Sequence, residues 1–539
     1  MTKASFAVTG TAAATPGRSI ALATLCTVLF LTFLDTTIVS VALASIQTTL
    51  HAGVGGLQWV VGAYALTFAA AMLIFGMIGD QFGRKKVMII GIGVYCFGAL
   101  ICALSINIAG MSALPLLLAG RAVMGLGAAA SEPGTLSMIR HIYTDYRERN
   151  WALGIWAAVS GLSLALGPVI GGALVGVWDW RAIFWFDVTF GLAALVAAVR
   201  FLPENADPDP RRIDIAGGVF GAAALATLIF AVIDAETAGF SSPGVIALLC
   251  LSAVATVAFL WRESRAEHPL LDVKFLRVPR FTTPNVVAFC AYFATFAIFF
   301  FTALFLVEVS GFTGYKIAEV FLPMMVLMIL ASLAAGRYAP VIGVRWLLVG
   351  GCGIFAIGLV LTNASISPNP PFFAVAASLA LTGIGIGTCV VPITSSVLTA
   401  VPPERSGMAA SATNTSREVG AVIGVAVLGS LVNGQLHTDL VARLNALHIA
   451  PYLQAVVIEG VETGAEPSSG GTSSLAPKGE ARLVQEVLHA AYSAFQSGLH
   501  VALYLSAGLM AGVAILALVT LHGRPGQLDD EQTAPVRTS

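Results

Sequence analysis

Long apolar runs dominate this chain and restrict its fold more than any other feature of its sequence. A helix needs about 20 apolar residues to cross a ~30 Å hydrocarbon layer, and the 539 residues contain fourteen such runs. Hydrophobic residues make up 57% of the chain and charged residues 11%, whereas soluble proteins contain about 25% charged residues. The sequence therefore predicts an all-α membrane protein that crosses the bilayer fourteen times. The predicted spans are 20–44, 57–79, 87–107, 113–139, 151–177, 181–202, 215–234, 244–262, 284–308, 317–337, 346–363, 371–400, 406–432 and 498–521.

Basic residues are distributed unevenly between the two sides that these spans define. One side carries 22 of the 28 lysines and arginines in its loops and tails, the other side carries 5, and Arg121 lies inside a span. By the positive-inside rule, the first side is the cytoplasm, and both termini lie there. The net charge of −1 leaves no basic excess for binding nucleic acid. Residues 1–19 read as a polar cytoplasmic tail and not as a cleavable signal.

The glycines and proline of span 12 are spaced like those of span 4, which indicates an internal repeat. They are Gly383, Gly385, Gly387 and Pro392, against Gly125, Gly127 and Pro133. Parallel repeats of this kind build transporters with a site near the bilayer midplane. We therefore expect a six-helix bundle over 20–202, two inserted linker helices within 203–283, and a second six-helix bundle over 284–521. The second bundle includes an extracellular loop, 433–497, and the chain ends in a cytoplasmic tail, 522–539.

The loop after span 2 combines small, acidic and basic residues in a fixed order: Gly76, Gly79, Asp80, Gly83 and Arg84. Glycine lets helix ends approach closely. Asp80 is suited to sit against a helix N-terminus or to pair with a basic side chain, and either contact would latch the cytoplasmic face. Because an ordinary positive-inside turn needs only the bases, we interpret this segment as a cytoplasmic gate loop.

This segment resembles the loop signature of the major facilitator superfamily. Further matches along nearly the whole chain are similar to the fourteen-helix drug:proton antiporters of that superfamily. They include 34–39 and 41–43 in span 1, 58–60 and 64–66 in span 2, Arg121 with 125–127 in span 4, 180–181 before span 6 and 275–277 before span 9. The resemblance implies a multidrug efflux pump of the bacterial inner membrane, with two six-helix bundles and a proton gradient as its energy source.

Span 5 carries a row of small residues and ends in a Gly-Pro-x-x-Gly-Gly sequence. Small residues form a groove that a neighbouring helix can enter, and a proline kinks a helix. Ordinary helix packing accounts for such a row as well. The ending, however, resembles the antiporter motif of this family, which implies export. The motif residues are Gly161, Gly167, Pro168, Gly171 and Gly172.

Asp35 lies near the middle of span 1 and Arg121 in the outer half of span 4. A carboxylate inside a membrane is costly unless it is paired, protonated or facing water. Counting 1.5 Å per residue along each helix places the two side chains at comparable depth. We predict that they form the proton-coupling site, and the alternative is a static ion pair that holds the two spans together.

Two further acids and two aromatic residues are candidates for lining a cargo cavity. Glu132 follows Arg121 by eleven positions, close to three helical turns, so both point to one face of span 4. Asp187 in span 6 stands where the family commonly has asparagine. Phe296 and Phe300 belong to an aromatic cluster in span 9 that is suited to flat hydrophobic or cationic cargo. Lipid contact or ordinary packing is the alternative for these two rings.

Together these features predict a proton-driven antiporter that exports small amphipathic drugs or metabolites, cations among them, by alternating access. The expected partners are the cargo, protons and the lipid bilayer. We expect no enzyme activity, no cofactor and no metal ion, because the cysteines lie in apolar runs without CxxC spacing and no ATP-binding loop is present. One alternative is a proton-coupled importer with the same fold. Another is a membrane-embedded lipid-modifying enzyme, although the spans contain neither HExxH nor GxSxG.

Overall fold

The computed structural model describes residues 16–50, 54–105, 113–204, 214–266, 269–312, 314–446 and 478–521. Within these ranges, fourteen helices are long and apolar enough to cross a membrane. The predicted all-α fold with fourteen membrane helices is thus confirmed.

The first six helices form one bundle. Helix α1 packs on α5 and α6, α3 packs on α4 and α6, and α2 packs on α4. Their bounds are α1 Pro16–Leu50, α2 Val54–Phe82, α3 Arg84–Ala103, α4 Leu114–Ile142, α5 Tyr146–Val177 and α6 Arg181–Phe201. We call this set the N-bundle.

The last six membrane-spanning elements form a second bundle, the C-bundle. Its first span is a helix interrupted by a π turn at Ala297–Thr302. The helices are α9 Pro279–Phe296, α10 Ala303–Glu308, α11 Gly314–Ile342, α12 Val344–Ser365, α13 Phe372–Thr399, α14 Ser406–Ala446 and α15 Lys478–Thr520. Helix α13 lies between α11 and α12, and α14 packs on α9 and α15.

Two inserted helices, α7 Ile215–Ala238 and α8 Pro243–Arg265, pair with each other, and α7 lies against α2 and α14. Asp214 caps α7 by accepting a hydrogen bond from the Gly217 amide at 2.9 Å, and it forms an ion pair with Arg262 of α8 at 3.0 Å. The α7–α8 helix pair therefore lies beside the junction between the two bundles.

Corresponding glycines make corresponding contacts in the two bundles. Gly83 and Gly343 immediately precede α3 and α12 with φ of 107° and 84°, a left-handed conformation that glycine adopts without steric cost. A side chain on Gly127 would collide with the α3 backbone at Tyr95, and one on Gly385 would collide with the α12 backbone at Phe355. The repeat expected from the glycine spacing is therefore present in the packing.

The segment predicted as extracellular loop 433–497 is helical at both ends, because α14 continues outward to Ala446 and α15 begins at Lys478. These extensions belong to the membrane helices themselves and are not separate short helices. They pack through a small apolar cluster of leucines from α14 and alanines from α15. The cluster is Leu436, Leu440, Leu444, Ala490, Ala491 and Ala494. Residues 447–477 lie outside the described part of the chain.

The two bundles approach each other closely toward the cytoplasmic ends of their helices. A Cβ atom on Gly336 of α11 would lie 2.6 Å from the carbonyl oxygen of Asn150 on α5. A Cβ atom on Gly76 of α2 would lie 2.9 Å from the carbonyl oxygen of Gly407 on α14. Because side chains have no room at these crossings, the molecule is closed on the side predicted to face the cytoplasm.

Candidate transport site

Asp35 and Arg121 meet inside the N-bundle, where their exposed fractions are 0% and 1%. One guanidinium nitrogen of Arg121, Nη1, lies 2.7 Å from each oxygen of the Asp35 carboxylate. The structure therefore pairs the two residues that the sequence predicted to lie at similar depth. Breaking a buried pair by removing one partner is costly, because a charge is left without compensation.

Helix α2 holds the guanidinium from a second side. Arg121 Nε donates to the carbonyl oxygen of Val60 at 2.8 Å, and the guanidinium carbon lies 4.7 Å above the ring centre of Tyr64. The Tyr64 hydroxyl in turn donates to the carbonyl oxygen of Thr32 on α1 at 3.3 Å. Sequence reasoning quoted Tyr64 only as part of a family match and did not predict this stacking.

Asp187 of α6 is fully buried and lies within electrostatic range of Asp35 and Arg121. Neither of its carboxyl oxygens has a hydrogen-bond partner of standard geometry. The Tyr95 hydroxyl lies nearby and also lacks such a partner. The structure therefore places Asp187 with the ion pair inside the N-bundle, and not beside Glu132.

A second polar group, the inter-bundle cluster, lies between the bundles and consists of Glu132 from α4 with Asn414, Arg417 and Glu418 from α14. Arg417 is 2% exposed. It donates to the Thr394 hydroxyl at 2.8 Å and to the Asn414 side-chain oxygen at 3.2 Å. Arg417 therefore binds neutral partners, although its neighbour in the sequence is the acid Glu418.

Glu132 faces this cluster from the N-bundle and is 2% exposed. It lies within electrostatic range of Glu418 and Arg417, and its Oε2 atom has no hydrogen-bond partner. Arg417 Nε and Asn414 Nδ2 are likewise without partners. A buried polar atom without a partner is costly, so the cluster is suited to binding a polar ligand between the bundles.

Aromatic rings flank the inter-bundle cluster. The guanidinium carbon of Arg417 lies 5.4 Å from the ring centre of Trp156 on α5 and 5.7 Å from that of Tyr292 on α9. Sequence reasoning selected Phe296 and Phe300 instead. The side chain of Phe296 lies outside the described part of the structure, and Phe300 is 52% exposed with its ring against Phe301.

Asp80 joins the gate loop to the N-terminus of α14. Its carboxylate accepts hydrogen bonds from the amides of Gly407 at 3.0 Å and Met408 at 3.1 Å. These first-turn amides have no partner within their own helix, and the positive end of the helix dipole favours an anion. Asp80 also accepts from Arg84 Nε at 2.9 Å. Both contacts considered for Asp80 are therefore present together.

Two arginines extend this contact across the cytoplasmic face. Arg84 Nη2 donates to the Ser406 hydroxyl at 2.8 Å, and Arg140 Nη2 of α4 donates to the carbonyl oxygen of Val401 at 2.8 Å. Asp80, Arg84 and Arg140 are called the cytoplasmic latch below. Sequence reasoning did not select Arg140, because a base at the end of a span is ordinary.

The gate-loop glycines differ in their surroundings. Gly76 lies at the crossing with α14, and Gly83 needs its positive φ. Gly79 has no neighbour within 4 Å of an added Cβ. Glycine is therefore required by packing or by backbone conformation at two of these three positions.

The glycines of the predicted antiporter motif bring α5 close to two different helices. A side chain on Gly161 would meet Met328 of α11 in the C-bundle, and side chains on Gly167 and Gly171 would meet α1 at Thr37 and Ile38. Gly172 has nothing within 4 Å. Pro168 lies within α5, and its side chain is outside the described part.

Comparison with known proteins identifies relatives of this architecture. The family model described as Major Facilitator Superfamily matches residues 25–425. The multidrug resistance protein Stp of Mycobacterium tuberculosis is 31% identical over 81% of this chain and 80% of its own length. The methylenomycin A resistance protein of Bacillus subtilis is 34% identical over 74% of this chain and 84% of its own length. The multidrug efflux pump LfrA of Mycolicibacterium smegmatis is 29% identical over 94% of this chain and 97% of its own length.

A solved structure has the same fold. The human organic anion transporter MFSD10 superposes with a TM-score of 0.58 at 14% identity, covering 93% of this chain and all of its own. At that identity the likeness concerns the fold alone. Fourteen membrane helices and bacterial relatives place the chain in the bacterial plasma membrane as a multi-pass protein. Since the family model covers well over half of its length, the chain belongs to the Major Facilitator Superfamily.

Proposed function

We propose that this transporter is a proton-driven antiporter that exports small amphipathic drugs or metabolites, cations among them, by alternating access. The observation that carries the proposal is the Asp35–Arg121 ion pair, which is sealed from water inside the N-bundle. Relatives named as resistance and efflux proteins support export as the direction of transport.

Protonation of Asp35 would remove the negative charge that holds Arg121 in place. Arg121 would then lose the one carboxylate that lies at ion-pair distance from it in the described part of the chain, and it would have to move or find another partner. A proton can drive a conformational change only if it binds the two states with different affinity. Loss of a buried ion pair supplies such a difference.

Tyr64 connects this proton site to the inter-bundle cluster. Its ring stacks on Arg121, and its side chain lies within electrostatic range of Glu132 and Glu418. A movement of Arg121 therefore changes the surroundings of Tyr64 and, through it, the cluster between the bundles. This electrostatic connection is the physical basis on which we connect proton binding to cargo binding.

The inter-bundle cluster carries two carboxyl groups and one guanidinium, flanked by Trp156 and Tyr292. An organic cation would pair with the carboxyls, and its apolar rings would pack on the aromatic side chains. This composition is the reason for including cations among the expected cargo.

Transport of ethidium into inside-out vesicles tests the proposal. With purified protein and an acidic vesicle interior, we expect ethidium to accumulate, and a protonophore to abolish the accumulation. Asp35→Asn should reduce proton-driven uptake to the protonophore level while the protein stays folded in the membrane. Asp179→Asn, at an acid whose side chain is 51% exposed, is the matched control and should transport normally.

The same vesicles decide the alternatives. Proton-driven movement of ethidium in the opposite direction would favour the importer. Undiminished proton-driven transport by Asp35→Asn would remove this residue from the mechanism and overturn the proposed coupling.

A further inference from the structure

The N-bundle contains one more buried acid than its ion pair uses. Asp35 and Arg121 neutralise each other at 2.7 Å. Asp187 is fully buried within electrostatic range of them, and its oxygens have no hydrogen-bond partner of standard geometry, although the Tyr95 hydroxyl lies nearby. If all three groups were ionised, the cluster would carry an uncompensated negative charge in apolar surroundings, and such a charge is far more costly than a neutral carboxyl.

The groups around Asp187 offer no second cation. Helix α6 packs on α3, α1 and α5, and the titratable side chains of α5 all lie within residues 146–149 at its cytoplasmic end. The titratable groups within electrostatic range of Asp187 are Asp35 from α1, Tyr95, Cys96 and Cys102 from α3, and Arg121 from α4. Within the described part of the chain, Arg121 is the one cation among them.

We propose that Asp187 is the reserve counter-ion of Arg121, and that it holds a resident proton for as long as Asp35 occupies the guanidinium. Both carboxyls then share one guanidinium and one proton. The buried cluster is neutral in either arrangement, whichever of the two acids is ionised. The counter-ion role stands on the geometry of the cluster, whereas the role in transport rests on the proposed proton-driven function.

The exchange balances in protons and charge. A proton from extracellular water binds Asp35, and the cluster then carries one positive charge. When the molecule opens to the cytoplasm, Asp187 releases its proton to water there, becomes ionised and takes over Arg121. The reset moves the proton from Asp35 to Asp187 and returns Arg121 to Asp35. One proton has then crossed the membrane inward, and the cluster is neutral again.

A double-mutant cycle tests the counter-ion role without any cargo. The melting temperatures of wild type, Asp35→Asn, Asp187→Asn and the double variant are measured in detergent at neutral pH. Asp187→Asn replaces a neutral acid by a neutral amide and should leave the melting temperature unchanged. Asp35→Asn should lower it moderately, because Asp187 ionises and takes over Arg121. The double variant leaves Arg121 without a carboxylate and should lose more than the sum of the single changes.

Infrared difference spectroscopy supplies the second readout. The carbonyl stretch of protonated carboxylic acids should be present at neutral pH in wild type and should lose the contribution of one carboxyl group in Asp187→Asn. Additive melting temperatures together with an unchanged carbonyl band would overturn the counter-ion role.

The transport role has its own readout, the dependence of ethidium uptake on pH. Two interacting carboxyls titrate in two steps, so wild type should show two steps and Asp187→Asn one. An unchanged profile would overturn the transport role of Asp187. If wild type does not couple ethidium to protons at all, the proposed function fails, and the melting and infrared results still decide whether Asp187 is the reserve counter-ion.

Discussion

Arg121 and Arg417 are both exposed by 2% or less, but the groups that bind their guanidinium side chains differ. Arg121 meets a carboxylate, which fixes its charge locally. Arg417 meets a hydroxyl, an amide and two aromatic rings, so its charge is held by neutral groups and remains available to a ligand. Glu132 lies in electrostatic range of Arg417 with one oxygen unpartnered. At the scale of the residue, the N-bundle holds its charge in a closed ion pair, whereas the interface between the bundles holds charged groups with unpartnered polar atoms.

Glu132→Gln tests the cationic cargo site. A hydrogen bond to a charged group contributes about 1.5–3 kcal/mol, so we expect the apparent KM for ethidium to rise roughly 10- to 100-fold. Folding should be unaffected, because glutamine has nearly the same shape. The measurement is ethidium uptake into inside-out vesicles over a range of concentrations. Glu148→Gln, at a glutamate whose side chain is 38% exposed, is the control, and an equal effect of both variants would contradict a specific role for Glu132.

Helix α5 contacts both bundles along its length. Its cytoplasmic part crosses α11 at Gly154 and Gly161, and its outer part packs on α1 at Gly167 and Gly171. Thr37 of α1 strengthens the outer contact by donating a hydrogen bond to the Leu164 carbonyl at 3.2 Å. Because α1 also carries Asp35, the position of α5 and the Asp35–Arg121 ion pair are mechanically connected.

Gly167→Ala and Gly172→Ala test whether the glycines of the predicted antiporter motif act through their contact with α1. A methyl group at Gly167 would collide with Thr37 and the Ile38 backbone, and overpacking costs about 1–3 kcal/mol. We expect Gly167→Ala to lower the melting temperature and ethidium transport, and Gly172→Ala, which faces open space, to change neither. Thermal unfolding in detergent gives the melting temperature of each variant, and vesicle uptake gives its ethidium transport. Equal behaviour of the two variants would show that contact with α1 is not what the motif provides.

The whole molecule is closed toward the cytoplasm by contacts between the bundles. The cytoplasmic latch ties Asp80 and Arg84 of the N-bundle to the first turn of α14, and Arg140 to the segment just before it. These contacts and the tight glycine crossings lie at one end of the structure. The alternating access that we propose requires this end to open, so the latch would contribute to the energy difference between the closed and open states.

Asp80→Asn should shift the molecule toward the state that is open to the cytoplasm. An uncharged amide interacts less favourably with the α14 amides and with Arg84, and loss of about 1.4 kcal/mol changes the population ratio tenfold. Spin labels at the exposed positions Lys86 on α3 and Arg337 on α11, in a cysteine-free background, report the separation by electron paramagnetic resonance. We expect a new population at longer distance.

Lys85→Gln is the matched control for the latch. Lys85 follows Arg84 in the first turn of α3, and no hydrogen bond from it to α14 is seen among the residues the structure describes. This variant should keep the wild-type distance distribution. An identical distribution for Asp80→Asn would mean that the latch does not stabilise the closed state.

The sequence by itself determined the fourteen helices, the side on which the chain ends lie and the gate-loop acid. Each of these follows from local information: the length of an apolar run, the count of bases in a loop, the order of residues in a turn. Asp35 and Arg121 belong here too, because an ionised group inside an apolar run needs a partner wherever it is found.

Only the tertiary structure decided which partners those residues have. Asp35 pairs with Arg121, which is 86 residues away in the sequence, and Asp80 binds Met408, which is 328 residues away. Helices α1, α3, α4 and α6 of the N-bundle together bring Asp187 within electrostatic range of Arg121. Arg417 has an acid as its neighbour in sequence, yet successive helical residues point in different directions, and its partners come from the facing helix and from Asn414. Helix packing brings residues from distant segments together at the same depth in the membrane. The local pattern of a single sequence does not contain those pairings.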